Sequence, residues 1–314
     1  GDSMLAASIH EHAGLGNQIW RYVCCRVFAE RLGYDFGVSS PGWRGKFLNI
    51  DWGKEVKLNV EQDSDFRMEE GFKHYYKEKW IHHKTAPGEI GDPDNKFLEL
   101  PDNTYINGNF QRMSYIDDYR DKIKDWLTYD DKFKITDYSD ENICVIQLRG
   151  GDYTTGHSML PPEYYSQAME HMRSNNPNIK FVIVTDDPNT AQRMIPGIPI
   201  VGSATAEEKD PDQKFISWYE YTGGPVYMDY SILNHAKYAI ISSSTFAFWP
   251  VWLNEKLENV IAPKYWFDWS RSDGWWRPKD GIVDDPAWLW MDNQGDLFES
   301  KICIQHAKSY YGGK

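Results

Sequence analysis

From residue 143 onward the chain alternates short apolar runs with segments of helical periodicity, and this alternation constrains the fold more than any other feature. Strands are predicted at 143–148, 181–185, 238–241 and, as the last element, 260–262, with helices at 162–172, 189–194, 226–235 and 246–254. Strands that alternate with helices form a parallel sheet covered on both faces. This half of the chain is therefore predicted to be a doubly wound α/β domain.

The N-terminal part contains a shorter pattern of the same kind. Strands are predicted at 4–9, 34–38 and 105–107, a glycine-containing loop at 14–18, and helices from that loop to about residue 32 and at 114–127. Residues 40–100 are polar and irregular and give no detailed assignment. Residues 129–141 are charged and lack helical periodicity, which is typical of a linker. The sequence thus predicts two Rossmann-like domains, residues 1–138 and 139–314.

Composition excludes several classes of partner. The net charge is −13, whereas a nucleic acid or an anionic membrane surface needs a basic face. No apolar run approaches the ~20 residues that span a bilayer, so no integral membrane segment is expected. The four cysteines fit neither a disulfide framework nor a paired zinc-ligand spacing, which favours a reducing, cytoplasmic location.

Arg149 follows the apolar run 143–148 directly and is the first candidate for binding an anionic ligand. Gly150 and Gly151 come next and lack side chains that would keep a ligand from the backbone. A guanidinium is a rigid fork of donors that suits a phosphate or diphosphate, and ligands of open α/β sheets lie at the carboxyl ends of strands. The alternative is a surface ion pair between Arg149 and Asp152 on a turn.

A second strand is followed by the same kind of candidate. The run 238–241 ends in four hydroxyl residues, 242–245, before an aromatic helix. Serine and threonine cap helices, and the free amides and dipole of a helix N-terminus attract anions. The alternative is a capped core helix that binds nothing. Pro250 is favoured only near a helix start, so the helix is expected to begin after Thr245 or to kink.

The loop at 14–18 follows a strand, as the loop of a dinucleotide-binding enzyme does. It has Gly14 and Gly16 but not the third glycine, and no acidic residue closes the second strand. The fingerprint is weak, and a nicotinamide-dependent enzyme is the less favoured alternative.

Two Asp-Pro-Asp triplets, 92–94 and 210–212, raise the question of a metal. Such carboxylates bind Mn²⁺ at some nucleotide sites, but no strand delivers either triplet. We interpret both as solvated turns and expect no metal and no other cofactor.

Aromatic residues make up 15% of the chain and include 14 tryptophans, six of them between residues 265 and 290. Aromatic faces stack on sugar rings, but large aromatic side chains are also core and interface material. One or two of the six are expected to contact a sugar, and the others to close the domain interface.

Taken in order, seven segments resemble motifs of the α-1,2-fucosyltransferases of glycosyltransferase family 11. They are 14–18, 108–111 with Tyr115, 147–153, 162–168, 184–187, 229–253 and 262–267. The resemblance implies a GT-B-type fold, in which two doubly wound domains face a cleft. The N-terminal domain would mainly bind the acceptor, and the C-terminal domain, which has a Trp-rich tail, would bind the donor. It also implies an inverting, metal-independent transfer of fucose from GDP-fucose, as co-substrate, to the 2-OH of a terminal galactoside of a glycan acceptor.

The resemblance also assigns site residues. Donor binding falls to Gly14, Gly16, Asn17, Gln18, Gln147, Arg149, Asp229, Ser243, Ser244, Thr245 and Phe246. Arg149 would hold the diphosphate and Asp229 the guanine, while Tyr153 and Trp266 would contact the acceptor. Asp152 is the first candidate for the catalytic base, with orientation of Arg149 as its alternative role. Glu163, Asp186 and His157 are weaker candidates.

Two positions depart from the family pattern. Gln147 replaces the family's histidine, and Gly150 replaces the second arginine of a pair. Gln147 changes the hydrogen-bonding options at the base. A different GDP-sugar donor, or a catalytically inactive sugar-binding homologue, therefore remains an alternative.

Overall fold

The computed structural model describes residues 3–9, 13–56, 72–78, 95–155, 159–208, 215–216, 219–220, 224–266, 269 and 282–312. Within these ranges the α-helices are Leu15–Leu32 (α1), Arg120–Trp126 (α2), Pro162–Asn175 (α3), Pro188–Met194 (α4), Tyr227–His235 (α5), Thr245–Trp252 (α6) and Ser300–Gly312 (α7). The strands are Met4–Ser8 (β1), Asp35–Ser39 (β2), His74–Lys77 (β3), Thr104–Asn107 (β4), Ile143–Leu148 (β5), Lys180–Thr185 (β6), Phe215–Ile216 (β7), Tyr219–Glu220 (β8), Tyr238–Ile240 (β9), Asn259–Pro263 (β10), Trp288–Met291 (β11) and Leu297–Glu299 (β12).

The strands form two main sheets. The first has the order β2-β1-β4-β3 and is parallel throughout. The second has the order β12-β11-β10-β9-β5-β6 and is parallel except for the antiparallel edge strand β12. A short antiparallel pair, β7 and β8, stands apart. The predicted α/β class with two parallel sheets is confirmed.

Both faces of the second sheet are buried, as a doubly wound sheet requires. Ile146, Ile240 and Ile261 lie in a hydrophobic cluster with residues of α3 and α4. Their chain neighbours Val145 and Ala239 lie in a different cluster, with residues of α5 and α6. Because successive strand residues point to opposite faces, the near-continuous apolar runs of the sequence supply both cores.

The two halves meet where α1 and α6 begin. Each helix follows the carboxyl end of a strand, α1 after β1 and α6 after β9, so the carboxyl edges of the two sheets face one another. Trp20 of α1 stacks on Phe248 and packs edge-on against Trp249 of α6. The Trp249 indole N–H also donates to the Gly16 carbonyl at 3.0 Å. This is the GT-B-type arrangement that the resemblance implies, while the boundary at residues 138 and 139 stays a prediction.

The helix predicted at 114–127 is wrong in its first half. Two 3₁₀ turns, Met113–Tyr115 and Asp117–Tyr119, precede α2. Between them Ile116 has φ −135°, which an α-helix does not allow. The break places the Tyr115 ring against Phe28 in the core, with its hydroxyl donating to Glu78 at 2.9 Å.

The prediction that the strand at 260–262 is the last element is also wrong. Strands β11 and β12 and helix α7 follow it. Trp288 and Trp290 lie in β11 and are 1% and 0% exposed, so two of the six clustered tryptophans are strand core. Strand β3, inside the unassigned stretch 40–100, was missed as well.

The first turn of α1 and the interior of α6 also differ from expectation. Helix α1 starts at Leu15, so most of the predicted loop 14–18 is helical. Helix α6 starts at Thr245 itself, not after it, and contains Pro250. The Pro250 carbonyl accepts a hydrogen bond from the Asn234 side chain at 3.0 Å, which ties this part of α6 to α5.

All four cysteines are buried and none forms a disulfide. Among the described residues, no helix is both long enough and apolar enough to cross a bilayer. The cytoplasmic location stays a prediction.

Candidate active site

The ends of three adjacent strands define the candidate site. Strands β9, β5 and β6 are neighbours in the second sheet and run parallel. Their carboxyl ends therefore lie along one edge, and they deliver the hydroxyl run 242–245, Arg149 and the pair Asp186–Asp187 to it. The structure thus brings together the two candidate anion sites that the sequence places far apart.

Ser242 joins the ends of β5 and β9. Its hydroxyl donates to the Gln147 carbonyl at 2.8 Å and accepts from the Arg149 amide at 3.0 Å. The Tyr165 hydroxyl lies 2.7 Å from the same oxygen and must be the donor, because the Ser242 proton is already used. The Ser242 amide donates to the Gln147 side-chain oxygen at 3.0 Å. Gln147 therefore braces the two strands, and its predicted donor contact stays a prediction.

Arg149 lies at the centre of the edge. Its Nη1 forms an ion pair with Asp186, and its guanidinium lies 4.8 Å from the centre of the Tyr153 ring. The Arg149–Asp152 pair considered from the sequence stays a prediction, because the Asp152 side chain, like His157, lies outside the described residues. The roles assigned to Arg149, Asp152 and Tyr153 stay predictions.

The two glycines after Arg149 leave space for two carboxylates. A Cβ at Gly150 would lie 2.7 Å from the Asp187 Cβ, and one at Gly151 would lie 3.0 Å from Asp186 Oδ2. Gly151 also has φ +56°, which disfavours any side chain there. In this chain, glycine at the position of the family's second arginine is what allows Asp187 to pack against the loop.

The hydroxyls that open α6 have different surroundings. The Ser244 side chain caps the helix by accepting from the Ala247 amide at 3.3 Å, and Thr245 donates to the Asn17 side chain at 2.8 Å. The Ser243 hydroxyl is buried and has no hydrogen-bond partner among the residues that the structure describes. An unsatisfied buried hydroxyl costs about 1–3 kcal/mol, so a ligand group that met it would recover that energy.

The start of α1 lies against the start of α6. A Cβ on Gly16 would collide with the backbone of Thr245. Asn17 accepts from Thr245 and, at 2.8 Å, from Gln111. Gln18 is buried and bonds both the Gly42 carbonyl and an amide of the same loop, so its visible role is to brace α1. Their donor contacts stay predictions.

Gly14 differs from its neighbours in this turn. It is the N-cap of α1 in an extended conformation with no side-chain cap, and a Cβ there would meet nothing within 4 Å. The open space beside it, at the N-terminus of a long helix, is suited to an anionic group.

Asp229 is buried in the first turn of α5. Its two oxygens accept from the amide and the hydroxyl of Ser203, at 2.8 and 2.6 Å. Burial raises its pKa to about 6, although the hydrogen bonds from Ser203 oppose the shift. Phe246 packs edge-on against Tyr230 at 6.3 Å. Their predicted contacts with the donor are not tested by this geometry.

Trp266 is 3% exposed and belongs to the main hydrophobic cluster. The structure places Trp266 in the core. Its predicted contact with an acceptor is not tested by this position and stays a prediction. Within the described ranges no group of three His, Cys, Asp or Glu side chains could hold a metal ion. Both Asp-Pro-Asp triplets lie outside those ranges.

Comparison with known proteins decides the family. The model of glycosyl transferase family 11 matches residues 56–278, which is more than half of the chain. The chain belongs to glycosyl transferase family 11. The family match includes Arg149, Asp186, Asp229 and the hydroxyl run 242–245, whereas Gly14 and Gly16 precede it.

Two relatives from Escherichia coli show the diversity around this family 11 chain. An alpha-1,2-colitosyltransferase is 25% identical over 51% of this chain and 55% of its own length. The O-antigen biosynthesis glycosyltransferase WbnK is 24% identical over 56% of this chain and 62% of its own length. The matches thus span little more than half the length of either relative.

Solved structures with similar chain paths are fucosyltransferases. NodZ alpha-1,6-fucosyltransferase co-crystallized with GDP is 11% identical, with a TM-score of 0.48 over 95% of this chain and 98% of that chain. POFUT1 in complex with GDP-fucose is 11% identical, with a TM-score of 0.38 over 83% and 98% of the chains. These scores are too low to support an argument about the site of the family 11 chain.

Sequence reasoning missed the supports of the site. The Tyr164 hydroxyl donates a hydrogen bond to the Ile241 carbonyl at 2.6 Å, and the Tyr165 hydroxyl is hydrogen-bonded to Ser242. Helix α3 therefore fixes the residues that follow β9. Both tyrosines are 0% exposed. Adjacent tyrosines on a helix that packs on a sheet were the available signal, because a buried hydroxyl needs a partner.

Proposed function

We propose that this family 11 chain is an inverting glycosyltransferase that moves fucose from GDP-fucose to a hydroxyl of a glycan, forming an α-1,2 linkage to the 2-OH of a terminal galactoside. One observation carries the proposal. A cation, Arg149, and a buried hydroxyl that no described residue bonds, that of Ser243, follow adjacent parallel strands at the same sheet edge. A donor diphosphate could pair with the guanidinium and accept a hydrogen bond from the hydroxyl.

The mechanism proposed is electrostatic stabilisation of the leaving group. The acceptor oxygen attacks the anomeric carbon from the face opposite the diphosphate, the glycosidic bond to GDP breaks, and negative charge grows on the diphosphate. Arg149 and the amides that open α6 are preorganised donors for that charge. These donors would stabilise the charge on the diphosphate without a metal ion, so we propose a metal-independent transfer.

The acceptor hydroxyl must also lose a proton. Asp186 is a poor base for this step, because its carboxylate is held by Arg149 and by the Gly150 amide. Glu163 is exposed in the first turn of α3, and no described contact turns it toward Arg149. We propose Asp152, three residues after Arg149, as the general base.

Guanine recognition is proposed for Asp229. Above about pH 6 its carboxylate is ionised, and each oxygen keeps a second lone pair beside its bond to Ser203. The guanine N1–H and amino group could donate to such a carboxylate. Colitose is the second candidate for the sugar, supported by the activity named for one E. coli relative.

The proposal is tested by incubating the protein with GDP-fucose and free β-galactosides in excess EDTA at pH 7.5. We expect GDP release that depends on the galactoside, and calorimetric binding of GDP but not of UDP, ADP or dTDP. Transfer from GDP-colitose alone would change the donor, and activity restored only by Mn²⁺ would contradict metal independence. Binding without turnover would leave a sugar-nucleotide-binding protein, and UDP binding with GDP ignored would exclude a GDP-sugar.

Ser243→Ala should separate ligand binding from stability. Removal of an unpartnered hydroxyl should leave the free energy of unfolding unchanged or higher, whereas a lost hydrogen bond to a charged phosphate should weaken GDP binding about 10-fold to 10²-fold. Urea denaturation and calorimetry measure the two effects.

Ser244→Ala is the matched control for that variant. It removes the N-cap of α6 and should lower the free energy of unfolding by about 1 kcal/mol. GDP affinity equal to wild type in Ser243→Ala would remove that hydroxyl from the donor site.

A further inference from the structure

Asp186, directly after β6, contacts the Arg149 loop in two places. Its Oδ2 forms an ion pair with Arg149 Nη1, and its Oδ1 accepts a hydrogen bond of 2.7 Å from the Gly150 amide. The two charged side chains are 11% and 22% exposed, so the pair is largely removed from water. One carboxylate therefore holds both the guanidinium and the backbone next to it.

The neighbouring Asp187 has a different set of contacts. Its Oδ2 accepts from the Gly151 amide at 3.1 Å, and its Oδ1 caps α4 by accepting from the Thr190 amide at 3.1 Å. The Thr190 hydroxyl donates to Asp187 Oδ2, at 2.7 Å. Asp187 thus anchors the loop to α4, and no described contact joins it to the guanidinium of Arg149.

We propose that Asp186 is a positioning residue that fixes the direction of the Arg149 guanidinium toward the donor diphosphate. The inference rests on the proposed function, since it needs a diphosphate at Arg149. A free arginine side chain has many rotamers, and a carboxylate that holds Nη1 orders it before the donor arrives. Preorganised donors stabilise charge as it develops without reorganising during the reaction.

The negative charge of Asp186 should weaken donor binding, although its contact with Arg149 should favour catalysis. A carboxylate close to the diphosphate repels it, so Asp186 lowers ground-state affinity while it aligns the group that acts on the transition state. A residue that served only the fold would not divide its effects in this way. Turnover should therefore fall when the charge is removed, while GDP affinity should stay the same or rise.

The test is Asp186→Asn, assayed for kcat with GDP-fucose and for GDP affinity. Arg149 Nη1 and the Gly150 amide contact different carboxylate oxygens, and asparagine replaces one of these two acceptors with a donor, so one of the two contacts is lost. We expect kcat to fall at least about tenfold, because small misplacements of catalytic groups are costly. GDP should bind equally well or more tightly.

Asp118→Asn is the matched control. It also removes one negative charge that is paired with an arginine, Arg31, but at the C-terminal end of α1, remote from the helix start that borders the candidate site. Its kcat should stay within about threefold of wild type. In an Arg149→Ala background, Asp186→Asn should lower kcat by less than about twofold, because its partner is already absent.

Three results would overturn the inference. They are a wild-type kcat in Asp186→Asn, a joint loss of GDP affinity and thermal stability in that variant, and additive effects in the double variant. A wild-type protein that neither binds GDP nor releases it from GDP-fucose would overturn the proposed function together with this inference. Failure confined to the variants would overturn the inference alone.

Discussion

Arg149→Lys should lower turnover of GDP-fucose at least ~10²-fold, while GDP binding falls much less. Lysine keeps the charge and can still pair with Asp186, but a single ammonium cannot reproduce the flat fork of donors around a diphosphate. The missing donors matter most when charge develops in the transition state. Steady-state kinetics and GDP calorimetry on the same preparation measure the two quantities.

Arg173→Lys is the control for that substitution. Arg173 lies on α3, half exposed, with its guanidinium over Phe181 near the start of β6, away from the carboxyl edge. Its kcat should remain near the wild-type value. A turnover in Arg149→Lys within about threefold of wild type would mean that Arg149 does not stabilise the leaving group.

Gly16→Ala should lower the free energy of unfolding by about 3 kcal/mol or more and should abolish transfer. The added methyl would meet the backbone of Thr245, which cannot rotate away as a side chain could. Relief of the collision requires α1 and α6 to separate. That separation would stretch the bonds from Trp249 to Gly16 and from Thr245 to Asn17. Urea denaturation gives the stability, and GDP release gives the activity.

Gly14→Ala is the matched control, because it adds the same methyl two residues earlier into open space. Its backbone is extended, with φ −67° and ψ 161°, so alanine fits without strain. The free energy of unfolding should change by no more than about 1 kcal/mol, since alanine is a poorer N-cap than glycine. Equal destabilisation by the two variants would contradict the close approach of α1 and α6.

The sequence was sufficient to predict the strands that carry the site. Strands β5, β6, β9 and β10 are apolar on both faces, and such runs stand out between polar loops. The residues that follow them could be located for the same reason. The partners of those residues could not, because the contact between Ser242 and Gln147 joins positions 95 residues apart. A row of four hydroxyl residues does not reveal that Ser242 joins two strands, that Ser244 caps α6, or that Ser243 has no described partner.

The missed elements share another cause. Strand β12 is exposed or half-buried throughout and pairs at a sheet edge, so it lacks the apolar run of a core strand. Strand β11 contains Trp288 and Trp290, members of a cluster that the sequence analysis assigned to sugar contact and to the domain interface. Gln18 shows what a motif leaves out: its predicted donor contact stays a prediction, and its position in the motif did not indicate that its side chain bonds the Gly42 carbonyl and the Arg44 amide.

The contact between α1 and α6 limits how donor preference could be exchanged among family 11 enzymes. The main hydrophobic cluster runs without a break from α1 and β1 through α6 to β10 and β11. Trp20 and Trp249 lie on opposite sides of that contact and pack edge-on, with ring centroids 4.7 Å apart. A chimaera that took residues 139–314 from one enzyme and 1–138 from another would have to carry the first turns of both helices from the same parent. The proposed donor site would thus be inherited as the pair of helix starts, and neither predicted domain alone contains that pair.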